Sequence, residues 1–148
     1  MQGRAIVETG TDKGGSCLKK KILALVLVLA LLLTGCGNVL TVRRVVGDSD
    51  LYSKREIRDA MGVVTRHFAL HFRGCTLLEV VYDEEKTLQE TERRAEDGET
   101  GDVMVLTSSF YVADGDGSLN PHSTYNGWSW ELERNGLGGW KLTNWGYG

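Results

Sequence analysis

Two apolar rhythms divide this chain. Near the start, twelve consecutive apolar residues run from Ile22 to Leu33 behind Lys19, Lys20 and Lys21. Further on, Ile57, Ala60, Met61, Val64, Phe68 and Phe72 recur at spacings of three and four, the repeat of a helix with one apolar stripe. Ser53-Lys54-Arg55-Glu56 has the S-x-x-E form of a capping box. The spacing therefore predicts a helix from there to about Arg73, with Gly74 placed to stop it. A helix of that length, about 30 Å, cannot hide its stripe alone and needs a sheet beside it.

The rest of the chain supplies one. Thr76 to Asp83 and Val103 to Val112 are rich in Leu, Val and aromatic residues and read as strands. Trp128, Trp130 and Leu132 alternate with Ser129, Glu131 and Glu133, a period of two with one dry and one wet face. Asn135-Gly136 begins a turn, and Trp140 and Leu142 lead a last strand, with Trp145 and Tyr147 on the opposite parity. Glu84 to Thr100 is charged and is expected to be a mobile surface segment or a short helix capped at Thr87; Gly115 to Gly127 is expected to be a long polar loop. The predicted architecture is α+β: a long N-terminal helix packed on a roughly four-stranded antiparallel sheet, occupying residues 53–148.

The earlier apolar run has another purpose. Twelve residues at about 1.5 Å each reach roughly 18 Å, short of the roughly 30 Å hydrocarbon core of a bilayer. A basic n-region, a short h-region and small residues at the cut are the parts of a secretory signal peptide. Leu33-Thr34-Gly35-Cys36 resembles the bacterial lipobox, which implies that residues 18–35 are removed and that Cys36 is lipidated and becomes the new N-terminus. Residues 36–52 are then expected to be the lipidated cysteine and a tether. Residues 1–17 are polar and Gly-rich and fit no n-region, so they are expected to be a non-native or mis-called extension, with Leu18 as a non-AUG start. The expected location is the extracytoplasmic face of a bacterial cell membrane, held to the bilayer through the acyl chains on Cys36.

Charge and cysteine content narrow the partners. The chain carries a net charge of −3, and within residues 36–148 the balance is 18 acidic against 12 basic residues. That excludes the basic footprint of a nucleic-acid binder and gives no attraction to anionic lipid. With Cys36 lipidated, Cys75 is the remaining cysteine of the domain, so apolar packing rather than a disulfide must hold it; Cys75 is expected to be a small buried hydrophobe.

On Ser53-Lys54-Arg55-Glu56-Ile57, Phe72-Arg73-Gly74-Cys75-Thr76-Leu77, Val81-Tyr82-Asp83-Glu84, Gly117-Ser118-Leu119-Asn120-Pro121 and the ending Gly139-Trp140-Lys141-Leu142 through Trp145-Gly146-Tyr147, the chain resembles a group of uncharacterised Gram-positive bacterial lipoproteins with a small cystatin-like or NTF2-like domain. The resemblance covers roughly Ser53 to Gly148 and implies a fold without an activity.

The candidate chemistry is sparse. Four tryptophans crowd the last two strands; Trp128, Trp130 and Trp140 are expected in the core, while Tyr111, Tyr125, Trp145 and Tyr147 are expected on the outer sheet face or at one end, as a surface for a cell-wall glycan, a peptide or a protein partner. His67 and His71 share a helix face at i, i+4 but lack the glutamate of H-E-x-x-H, and a third metal ligand would have to be Glu79 or His122. Asp114 and Asp116 open a calcium-like loop that fails at Leu119 and Tyr125, where glycine and glutamate are required. No phosphate-binding or dinucleotide fingerprint is present, so no cofactor is expected. The leading expectation is a non-enzymatic ligand- or partner-binding lipoprotein. The alternatives are a small NTF2-like hydrolase or isomerase built around His71, Glu79 or Asp83, and a structural or dimerising module.

Overall fold

The computed structural model describes residues 19–26, 37–114 and 118–147. The expected extension at 1–17, the greater part of the signal segment, Cys36 and Asp116 lie outside the described residues. The chain divides into two compact units, Met1–Gly35 and Cys36–Gly148. In the first, residues 19–26 are helical (α1) with exposed side chains. Among the described residues no helix is long and apolar enough to cross a membrane.

The second unit is a mixed α+β fold with helices packed against an open sheet. Its elements run β1 (Arg43–Val45), α2 (Lys54–His71), β2 (Cys75–Tyr82), α3 (Glu84–Glu96), β3 (Val103–Val112), β4 (Ser123–Arg134) and β5 (Trp140–Gly146). The sheet has five strands in the order β1-β2-β3-β4-β5, not four. The added strand comes from the segment expected to be a tether. Asn38 bridges Thr76, and Arg43 to Val45 pair with Glu79 to Val81, parallel to β2 because α2 forms the crossover between them. Gly37 is docked as well: its N–H donates to the Ala69 carbonyl at 2.9 Å, and a Cβ there would lie 2.7 Å from the Phe68 carbonyl oxygen.

The capping box forms as expected, with the Ser53 hydroxyl accepting from the Glu56 N–H while Glu56 Oε2 accepts from the Ser53 N–H at 2.9 Å. The buried stripe Ile57, Ala60, Met61, Val64 and Phe68 meets Leu77, Val80, Met104, Leu106, Phe110, Trp130 and Leu132 in one core. The helix stops at His71, and Gly74 follows at φ +68, a conformation that L side chains rarely adopt.

The charged stretch after β2 is a regular 13-residue helix, α3. Its cap is Asp83, whose carboxylate accepts from the Lys86 N–H at 3.0 Å, rather than Thr87. Thr87 instead anchors the helix: it is fully buried, donates to the Asp83 carbonyl at 2.7 Å and accepts from the Val105 N–H at 3.0 Å. Val103 and Val105 alternate with the core-facing Met104 and Leu106, so α3 covers the sheet face opposite α2.

Three bulges break the period of two. They fall in β2 between Leu77 and Glu79, in the β3/β4 pairing where Tyr125 and Trp128 face Phe110 and Ser108, and in the β4/β5 pairing where Leu142 and Asn144 face Leu132 and Glu131. Each extra residue flips the parity of the strand beyond it. The last bulge corrects the expected orientation of Trp145 and Tyr147: with Thr143 set aside, Trp145 pairs with Trp130 on the face that carries α2. The second shortens the expected long loop, because Asn126-Gly127, with Gly127 at φ +72, is a bulge within β4 rather than part of a connection.

Candidate functional site

The parity changes gather rings against the last turn of α2. His67 and His71, one turn apart, stack at 4.1 Å between centroids, and His71 Nδ1–H donates to the His67 carbonyl at 2.9 Å. From β5, Trp145 packs on His67 at 4.4 Å. Phe72, the C-cap residue of α2, lies 6.0 Å from Trp128 of β4 and 5.5 Å from Trp130. Between them opens a cavity of about 280 Å³, lined by His67, His71, Phe72 and Arg73 from α2 and its exit, Cys75 of β2, Ser118 and Leu119 of the β3–β4 connection, Trp128 and Trp145. A cavity of about 420 Å³ lies at the other end of α2 beside Tyr52, Glu56, Asp102 and Arg134. Its charges satisfy one another, with Arg134 2.7 Å from Glu56 and 2.6 Å from Asp102, so it offers a ligand less.

Two residues of the smaller cavity's wall carry a ring nitrogen that is closed off from solvent. His67 Nε2 and Trp128 Nε1 are both buried and have no protein partner. Trp130, one residue pair along β4, shows the usual arrangement: its Nε1–H donates to the Ser108 hydroxyl at 2.8 Å. Burial, reinforced by the neighbouring His71 imidazole, lowers the His67 pKa from its ordinary value, favouring the neutral ring. The titratable lining groups are His67, His71, Arg73 and the Cys75 thiol, so the described wall holds no carboxylate. An indole N–H can only donate.

The expected surface aromatics do not form one group. Tyr125 stacks on Phe110 at 5.2 Å and meets Tyr147 at 5.9 Å, and its hydroxyl accepts from the Asn120 N–H at 2.9 Å. Tyr147, 61% exposed, also borders Trp128 at 5.4 Å. Trp145 is 45% exposed and walls the cavity. Tyr111 has the opposite parity to the core residue Phe110, with its hydroxyl 3.4 Å from His122 Nδ1. Trp130 and Trp140 are buried as expected, whereas Trp128 is half-buried and borders the cavity.

The third groups suggested for a metal or acid–base site are committed elsewhere. Glu79 pairs with Arg43 at 2.6 Å, His122 meets Tyr111, and Asp83 caps α3. Among the described residues no three of His, Cys, Asp and Glu are grouped to hold a metal ion. Asp114 is exposed, with its carbonyl against Gly74. Cys75 is buried in the core. Sequence reasoning missed Phe72, Arg73, Leu119 and Trp128 as wall residues. The only available signal was the cluster of rings around two histidines at helical spacing. No family model, curated protein or solved structure matches this chain.

Proposed function

We propose that this chain is a bacterial lipoprotein, anchored through Cys36 at the extracytoplasmic face of the membrane, whose cystatin-like or NTF2-like domain binds a ligand in the ring-lined cavity at the end of α2. The observation that carries the binding role is the cavity itself, about 280 Å³ and walled by Phe72, Leu119, Trp128 and Trp145 beside His67, His71 and Arg73. The long helix packed on the antiparallel strands β2 to β5 supports the fold kinship, although α3 is inserted between β2 and β3. The start of the compact unit at Cys36, the residue the lipobox makes the mature N-terminus, supports the anchor.

The anchor has almost no tether in this reading. Cys36 directly precedes Gly37, which is hydrogen-bonded to the last turn of α2, the turn that also carries His67 and His71. The cavity is therefore held close to the bilayer surface.

Metabolic labelling with palmitate tests the anchor. The label is expected in the membrane-fraction protein and absent from Cys36→Ser; equal labelling of both, or a wild-type chain recovered unlabelled and soluble, would sink it. The binding role is tested by titrating the protein with cell-wall fragments while following the indole N–H resonances of Trp128 and Trp145. Saturable shifts at these two, with Trp140 unmoved, support the cavity, and shifts confined to other positions refute it.

A further inference from the structure

Resting on the proposed anchor at Cys36, we infer a second membrane contact: the outer face at the end of α2, made by Arg66, Leu70 and Arg73 beside Leu40, docks on a bilayer surface that carries anionic lipid headgroups.

The excess of acidic residues gives the domain no overall attraction to such a surface, but its charges are segregated. Nine of its 18 carboxylates lie between Asp83 and Asp102, in α3 and the residues at its ends, on the sheet face opposite α2. The arginines of α3 are held by carboxylates, Arg93 by Glu90 and Asp97 and Arg94 by Glu99 and Glu133. The α2 side is the reverse. Arg55, Arg58 and Arg66 on the helix, and Arg73 just past its C-cap, are exposed, and among the described residues none of them forms an ion pair.

Position ties one end of this face to the anchor. Gly37, next to Cys36, donates to the carbonyl of Ala69, the residue before Leu70. Leu70 is 61% exposed, and Leu40, three residues after Gly37, is 92% exposed. Single exposed leucines are ordinary on a protein surface. These two, however, flank the point where the acylated end of the chain is held against α2. Their side chains suit the boundary between headgroups and acyl chains, while Arg66 and Arg73 suit the phosphates above it. The carboxylate of Asp114, beside Gly74, also lies at this end; it pairs with neither arginine and reduces the attraction without cancelling it.

The contact fixes how the tethered domain faces the bilayer. It turns the carboxylates of α3 away and places Arg73, which also lines the ring-walled cavity, at the headgroup layer. Arg58 is eight residues before Arg66, so it sits ~12 Å farther along α2, beyond the roughly 10 Å over which salt lets charges act at 0.1 M.

The test uses the processed chain from the membrane fraction, placed on bilayers of phosphatidylcholine alone or of an equimolar mixture with phosphatidylglycerol. A paramagnetic headgroup label broadens the amide resonances that lie close to the surface. The amides of Leu40, Arg66 and Leu70 are expected to broaden more on the anionic bilayer, and high salt is expected to reverse the gain. Arg66→Gln and Arg73→Gln are each expected to lower the docked-to-free ratio about fivefold, and together about 25-fold. Arg55→Gln with Arg58→Gln makes the same change of charge farther from the anchor and is expected to lower it by less than about twofold.

Equal broadening on the two bilayers, or an equal loss in both double variants, overturns the docking face and leaves the anchor intact. A wild-type chain that washes off the neutral bilayer but keeps the gain on the anionic one overturns the anchor and leaves the docking face. If sn-glycerol 3-phosphate shifts the same amides saturably without a bilayer, the face takes a soluble phosphate and docking on lipid is overturned.

Discussion

At the residue scale, His67 ties stability to pH. Its pKa in the folded chain lies below the ordinary 6.5, chiefly because burial disfavours the imidazolium. Above about pH 6.5 the ring is neutral whether folded or unfolded and costs nothing. As pH falls below 6.5 the unfolded chain takes up a proton first, so stability is lost down to the folded pKa. Urea midpoints measured at about pH 7.5 and about pH 5.5 are expected to fall on acidification in the wild type, and by less in His67→Phe; an equal fall in both would remove His67 as the cause. Gly74 is a second residue with a local demand. Its φ of +68 and a Cβ position only 2.5 Å from the Asp114 carbonyl oxygen forbid a side chain. Gly74→Ala is expected to lower stability by more than about 1–2 kcal/mol in urea unfolding, since the left-handed cost alone is that large and the contact adds to it. The helix stop was legible at this glycine, but the approach of residue 114 was not, because it depends on a strand end 40 positions away.

At the scale of elements, capping and anchoring were legible to different degrees. The α2 start could be read from four residues, because a capping box is satisfied within its own turn. Ser53→Ala is expected to cost about 1 kcal/mol in thermal or urea unfolding. Ser53 and then Arg134 hold the Glu56 carboxyl down to about 2, so the helix start contributes stability above the carboxylate's ordinary 4.5 and loses it as pH falls towards 2. In contrast, α3 carries few apolar residues and no stripe. Its stability depends on Thr87 reaching across to Val105, a partner 18 positions on. Thr87→Val keeps the shape but leaves the Val105 N–H without its acceptor, and a loss of about 1–3 kcal/mol with faster amide exchange along α3 is expected. A variant as stable as the wild type would show that α3 is held by other contacts. The bulges were the main obstacle to reading the strands. The parity count put Trp145 and Tyr147 on the far face, and one set-aside residue, Thr143, returned them to the face of α2.

For the molecule as a whole, the proposed anchor and the cavity meet at one end of α2, while Tyr52, Glu56, Arg134 and Trp140 close the other. Arg134 lies 4.5 Å over the Trp140 ring there, while bonding Glu56 and Asp102. The 18-residue helix separates these ends by about 27 Å. In bilayers carrying a spin label at the headgroup, the Trp145 indole resonance is therefore expected to broaden more than that of Trp140; equal broadening would mean that the cavity is not held towards the membrane. Local sequence was enough to define the amphipathic helix and its cap, the four antiparallel strands and the burial of Trp130 and Trp140. These arise from short-range periodicity and from turn chemistry completed within a few residues. Tertiary pairing was needed to make the expected tether a strand, to pin α3 beneath β3, and to let three bulges turn the rings towards two histidines. Each of those outcomes depends on contact between distant segments, where a single extra residue reverses a face and no local pattern records it.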